Sequence, residues 1–305
     1  MNSGSPFTSD AKSIYKEALG YIYTRMEGLR RNNRFEIGPL YDLAGRIVAS
    51  SSAAIQLDTF AIYYYDLTDI ALSHAVNVAI LAVTMARGMG YSPDRLTEVC
   101  AAGLIHDIGI ARIDPAILDK EPEKLTSNQR HQVKAHPKYG HHAVIETYRE
   151  LEPLAGYILQ HHERVDGSGY PYGIKLAEMD EIAQIIALID TFEALIHPRN
   201  RRDALVPPIG IKQILTNEGS AFPKHLLKTL IDTISIYPVG CIVRLNSGEI
   251  ARVIQISHHN PLRPVVRVTH GPDGRPVTPK TIDLKNQTII YITGCLPSPD
   301  FRTIA

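Results

Sequence analysis

Near the start of the chain, apolar positions recur at three- and four-residue steps: Ile14, Ala18, Tyr21, Ile22 and Met26. That period predicts an amphipathic helix. A second helical run covers 40–57, after a polar break at 31–34 and Gly38. The two suit a cover over a larger helical body, or else a hairpin or dimer seam. Thr68 or Asp69 can cap a helix reaching Arg87. Ser92 and Pro93 open another, through Leu96, Val99, Ala102 and Ile105. Thr126 begins a helix expected to run to Tyr148, and further helices are expected over 151–161, 178–196, 208–217 and 222–236.

After Tyr237-Pro238 the period changes. Short β-branched runs at 241–245, 249–257, 265–270 and 288–292 alternate with turn chemistry at Asn246-Ser247-Gly248, Asn260-Pro261 and Gly271-Pro272-Asp273-Gly274. The pattern predicts a mainly α protein. It has a helical N-terminal segment (1–60), a larger helical domain (61–236) and a small C-terminal antiparallel β module (237–305).

Composition narrows the function classes. The 305 residues are 44% hydrophobic and 21% charged, an ordinary globular balance that can bury its own core. Lys+Arg and Asp+Glu both total 32, which argues against a DNA-coating surface or a polybasic membrane contact. The N-terminus carries no signal pattern and no uninterrupted apolar run reaches about 18 residues, so no membrane span is expected. Cys100, Cys241 and Cys295 are few, odd in number and far apart, which fits a reducing cytoplasm.

Histidine is the informative surplus. Thirteen are present, and His106-Asp107 and His161-His162 each close an apolar run. His74 and Asp190 lie inside apolar helices. Ionisable groups in such runs are costly to bury unless paired or bound to a metal. Imidazoles and carboxylates together are the ligand set of zinc, iron or manganese. Taken singly, each has a plainer reading: a satisfied core histidine, an exposed pair, a packing or capping acid. With His136 they come in order along the chain and lead into one loop, His161-His162-Glu163-Arg164-Val165-Asp166-Gly167-Ser168-Gly169-Tyr170-Pro171. Its glycines permit unusual backbone angles and Pro171 stiffens the exit. It suits a lid or partner surface beside a metal site, or a tight turn between helices. Glu163 suits the role of orienting a ligand histidine, and Asp166 that of fixing the loop.

These residues resemble the HD-GYP family of the HD phosphohydrolase superfamily. Leu104-Ile105-His106-Asp107-Ile108-Gly109 resembles its HD motif, His136-Pro137-Lys138-Tyr139-Gly140 its next histidine motif, and the loop its HHExxDGxGYP signature, with Gly169, Tyr170 and Pro171 as the GYP triplet. Asp190-Thr191-Phe192-Glu193-Ala194-Leu195 resembles the downstream Asp motif. The resemblance covers about 68–236. It implies an all-helical HD-type bundle and a phosphodiesterase that degrades cyclic di-GMP in bacterial signalling. It implies His74, His106, Asp107, His136, His161, His162 and Asp190 as ligands to two transition metals, iron first, with manganese or zinc as alternatives. Asp107 would bridge the metals, with a hydroxide as second bridge.

Three departures bear on activity. A glutamate of trinuclear members is Ile70 here, which favours two metals over three. The HDxxK lysine is Ile110. The segment after Asp190 lacks a tyrosine, while Arg199 and Arg202 remain as expected substrate-binding cations. Two functions follow: a cyclic di-GMP phosphodiesterase, or a module that binds metal or nucleotide and regulates through a protein partner at the GYP loop. A homodimer is compatible with either.

Overall fold

The computed structural model describes residues 9–32, 34–53, 56–64, 70–198, 203–257 and 260–297. Among the described residues, twelve α-helices precede a sheet: α1 (Ser9–Asn32), α2 (Leu40–Ala53), α3 (Gln56–Tyr63), α4 (Ile70–Gly88), α5 (Pro93–Ile105), α6 (Pro115–Leu118), α7 (Ser127–Lys134), α8 (His136–Ile145), α9 (Glu152–Gln160), α10 (Glu181–Ile196), α11 (Pro207–Asn217) and α12 (Lys224–Thr233). The strands are β1 (Ile242–Leu245), β2 (Ile250–Gln255), β3 (Val265–His270), β4 (Pro276–Asp283) and β5 (Ile292–Leu296).

Helix α4 is the axle of the bundle. It is apolar nearly all round, and from Leu72 to Ala86 all but one of its residues are buried. By length and composition alone it matches a membrane span, but 78% of its apolar window is covered by protein, as expected of a core helix. Helices α1 and α2 share its core through Tyr15, Ile22, Leu29, Leu43 and Ile47. The Tyr15 hydroxyl donates to Asn77 Oδ1 at 2.7 Å, and its ring meets Phe60 and Tyr64 edge-on or tilted. The N-terminal helices thus cover the bundle.

Helix starts follow their caps. Ser92 and Asp180 accept from the backbone of Arg95 and Ile182, and Thr126 forms a reciprocal capping box with Gln129. The helix expected from Thr126 to Tyr148 is broken. α7 ends at Lys134, with Ala135 as its C-cap, and α8 begins at His136. Pro137 has no N–H to give the Val133 carbonyl one turn earlier, and its ring crowds that carbonyl. The run expected over 40–57 is helical in α2 and again in α3 from Gln56, and residues 54–55 lie outside the described residues. The expected caps Thr68 and Asp69, like Tyr65, lie outside the described residues.

The sheet is antiparallel, in the order β4-β3-β2-β1-β5. Val243, Leu245, Ala251, Val253, Val266 and Val268 alternate onto one buried face, closed by Cys241 and Leu284. β4 carries no apolar alternation and contains Pro276 and Pro279, so its pattern does not read as a strand. It is an edge strand, where proline is tolerated. The strand expected at 288–292 lies further on. Ile289 is 78% exposed, and the pairing to β1 runs through Val243↔Cys295.

Beside α3, α4 and α12 lies a cavity of about 320 Å³ lined by Asp58, Thr84 and Arg87 among apolar side chains. Burial pushes the Asp58 carboxyl up to about 6, although it accepts from Thr84 Oγ1 at 2.7 Å. A folded pKa above the unfolded value of 3.8 favours the fold fully below pH 3.8, and that contribution is lost as pH rises through 6. Asp58→Asn, which stays neutral, is therefore expected to match the parent near pH 4 and to exceed it by up to about 3 kcal/mol at pH 8. Chemical denaturation at both pH values checks this; a gap that does not widen with pH overturns it.

Candidate metal centre

Seven side chains from separate segments converge. His74 comes from the middle of α4, and His106 caps the C-terminus of α5 with Asp107 after it. His136 follows the end of α7, His161 caps the C-terminus of α9 with His162 next, and Asp190 lies within α10. Their donor atoms form two groups, Asp107, His136, His161 and His162 on one side and His74, His106 and Asp190 on the other. Within each group all lie within 4.8 Å of one another.

Asp107 stands between the groups. Its Oδ1 lies 3.0 Å from His136 Nε2 and 3.5 Å from His161 Nε2. Its Oδ2 lies 3.5 Å from His106 Nε2 and 3.9 Å from His74 Nε2. Asp190 also reaches both ways, with Oδ1 3.0 Å from His74 Nε2 and Oδ2 3.6 Å from His162 Nδ1.

The backbone sets the tautomers. His106, His136 and His161 each donate Nδ1–H to the carbonyl three residues earlier, Gly103 at 2.8 Å, Val133 at 2.7 Å and Ile158 at 2.6 Å. For His136, that acceptor is the carbonyl Pro137 leaves without its helical donor. With Nδ1 engaged, Nε2 is the nitrogen turned inward, where a cation would meet it. His74 is held instead by Glu193, which its Nδ1 meets in a short contact. Glu193 also accepts from Asn77 Nδ2 at 3.0 Å, and His197 Nδ1 lies 2.9 Å from it. Sequence reasoning assigned Glu193 no role. Its one available signal was a charged residue inside the apolar run of α10, three residues after Asp190.

The HD turn is pressed onto α8 at Gly109. A Cβ there would lie 2.0 Å from the His136 carbonyl oxygen and 2.5 Å from Gly140 N, so only glycine brings Asp107 this close to His136. In the loop, a Cβ at Gly169 would lie 2.4 Å from Arg164 N. The Tyr170 ring packs at 4.6 Å and 31° on the His162 ring. Glu163 is buried but does not orient a histidine as expected. Its carboxylate accepts from the N–H groups of Tyr172, Gly173 and Ile174 at 2.7, 3.2 and 3.2 Å and pins the loop, because the chain doubles back over it. Asp166 fixes the near side by accepting from Ser168 N and Oγ.

Charge states suit cation binding. Burial holds His106 down to about 4, and burial with the His161 ring beside it holds His162 well below its ordinary value. Burial pushes the Asp107 and Asp190 carboxyls up, but the surrounding imidazoles outweigh it and hold both far below the usual range. Near neutral pH His106 and His162 therefore offer lone pairs beside two carboxylates, while at His136 burial is outweighed by the hydrogen bond to Asp107, which holds that imidazole above its ordinary value. Among the described residues, buried His106 Nε2 meets no hydrogen-bond partner, a costly arrangement that a cation would satisfy. The donor set fits a divalent transition metal.

His142 is exposed and lies 3.0 Å from Glu146, and His141 is half-buried beside it, outside the cluster. Ile110 packs against the apolar core. Arg199 and Arg202 lie outside the described residues, as do His258 and His259.

Residues 62–223 match the HD domain family. The chain belongs to that family. Beyond the HD domain, residues 242–302 match the KOW domain associated with HD domains. The chain is 29% identical over 212 residues to cyclic di-GMP phosphodiesterase PA4108 of Pseudomonas aeruginosa, covering 69% of this chain and 51% of that protein. It is 34% identical over 134 residues to 3'3'-cGAMP-specific phosphodiesterase 3 of Vibrio cholerae, covering 43% and 28%. The chain thus spans about half the length of PA4108, and less of the Vibrio protein. Bd1817, an HDG"Y"P protein from Bdellovibrio bacteriovorus, shares the fold with a TM-score of 0.62 at 18% identity, over 76% of this chain and 74% of that one.

Proposed function

We propose that this chain is a metal-dependent phosphodiesterase that opens cyclic di-GMP, working in the cytoplasm with two transition-metal ions, iron first. The observation that carries the reading is Asp107, whose two carboxylate oxygens face two separate groups of histidines. The names of the relatives support the substrate class. Metals held there would lower the pKa of a water and neutralise charge at the attacked phosphorus.

The chain's own residues do the rest. Gly103, Val133, Ile158 and Glu193 hold the imidazole tautomers. Tyr170 packs on the His162 ring at one side of the cluster. Asp107 and Asp190 keep a fixed negative charge for the cations. The test is anaerobic. Protein reconstituted with ferrous iron is incubated with cyclic di-GMP, beside protein stripped by chelation, and products are resolved by chromatography. Product is expected from the loaded protein alone. No product from fully loaded protein overturns the reading, and preferential turnover of 3'3'-cGAMP moves the substrate within its class.

A second reading, binding without turnover and signalling through a partner at the GYP loop, is favoured by one observation. Ile110, partly buried against the apolar core, stands where the resemblance expects a lysine. Nucleotide bound and recovered intact by metal-loaded protein would establish it.

A further inference from the structure

A cyclic dinucleotide carries two phosphodiesters. With one at the metals, the other lies outside the cluster, still charged, and needs cations of its own. Arg164, beside the loop, is already committed. Its guanidinium donates to the Glu163 carbonyl at 2.9 Å and to Thr191 Oγ1 at 3.3 Å, and it lies over the Phe222 ring.

Lys134 and Lys138 are placed differently. They flank His136, Lys134 at the end of α7 and Lys138 in the first turn of α8. Both are exposed, and no carboxylate pairs with either among the described residues. Their ammonium groups sit on the two loop tyrosines, Lys134 Nζ 5.2 Å from the Tyr170 ring centre and Lys138 Nζ 4.4 Å from that of Tyr172. Tyr170 in turn stacks on His162. An ammonium on an aromatic face keeps its N–H donors available, and the ring narrows where a long, flexible stem can go. The break at Ala135 falls between the two lysines, so each stands on a different helix.

We infer that Lys134 and Lys138, held by Tyr170 and Tyr172, form the anion subsite for the non-reacting phosphate of a cyclic dinucleotide. This rests on the phosphodiesterase reading above. The subsite converts remote binding energy into preference for a dinucleotide over a simple diester.

Lys134→Met and Lys138→Met keep the stems and remove the charges. The readout is the ratio of kcat/KM for cyclic di-GMP to kcat/KM for bis(p-nitrophenyl) phosphate, which has one phosphate. Each substitution is expected to lower that ratio about tenfold, the scale of one charge-assisted hydrogen bond near solvent, through KM and with metal content retained. Lys→Arg at either position is expected to recover most of it. A ratio unmoved in the double Met variant overturns the subsite while leaving the phosphodiesterase reading in place. If the parent protein does not turn over cyclic di-GMP, that reading fails by itself, and calorimetric titration of metal-loaded protein with cyclic di-GMP decides the subsite. Affinity lost in the double variant supports it; equal affinity, or no binding by the parent, overturns it.

Discussion

Asp107→Ala protein is expected to keep its helical fold, to lose metal from both ligand groups, and to hydrolyse cyclic di-GMP about a thousandfold or more slowly, since several kcal/mol of transition-state stabilisation depends on the ions. The size of the effect follows from sharing. Removing His136 or His106 subtracts one donor from one group, whereas Asp107 presents an oxygen to each. Its loss also removes the charge that offsets four buried imidazoles. Asp107→Asn separates the two contributions, because it keeps the shape and one acceptor but not the charge. Metal analysis of purified protein beside turnover checks both variants, and full metal content in Asp107→Ala would sink the shared-carboxylate assignment.

The second large effect belongs to Glu193. Truncation to alanine is expected to cost about 3–5 kcal/mol, because it leaves His74, His197 and Asn77 with polar atoms facing an empty place in the core. It also frees the His74 ring, and loss of such an outer partner lowers metal affinity by about 10–100-fold. Glu193→Gln should recover much of the stability and little of the affinity, since an amide cannot balance the imidazole as a carboxylate does. Thermal unfolding and metal titration read the two quantities apart. A Glu193→Gln protein that binds metal as tightly as the parent would show that Glu193 only fills space.

Which parts of this were legible beforehand follows from the physics of each element. Helices with a clear cap and an apolar stripe, such as α5 behind Ser92 and α10 with its buried face, announce themselves locally. The ligand histidines stand out because an ionisable ring inside an apolar run is costly to bury until something binds it. Glu193 was equally anomalous, but the two partners that tie it to the site, His74 and Asn77, are 119 and 116 residues away, and nothing local points to them. The split between α7 and α8 was signalled by Pro137 and missed, because the helical period continues on both sides. β4 was invisible for a different reason. An edge strand has only one neighbour to satisfy and little side-chain burial, so its sequence is free to carry proline. Glu163 misled because a buried glutamate beside two histidines suits two roles, and only the path of the loop decides between them.

The carbonyl ends of α5, α7 and α9 all converge on the cluster, each carrying about half an elementary charge of negative sign. Added to Asp107 and Asp190, they make the bare pocket a repeller of any nucleotide and the loaded pocket an attractor. Loading must therefore come first, and the order of events is built into the direction in which three helices run. On the phosphodiesterase reading proposed above, the protein would behave as a logical conjunction: the second messenger would be read only where the metal supply has already been registered.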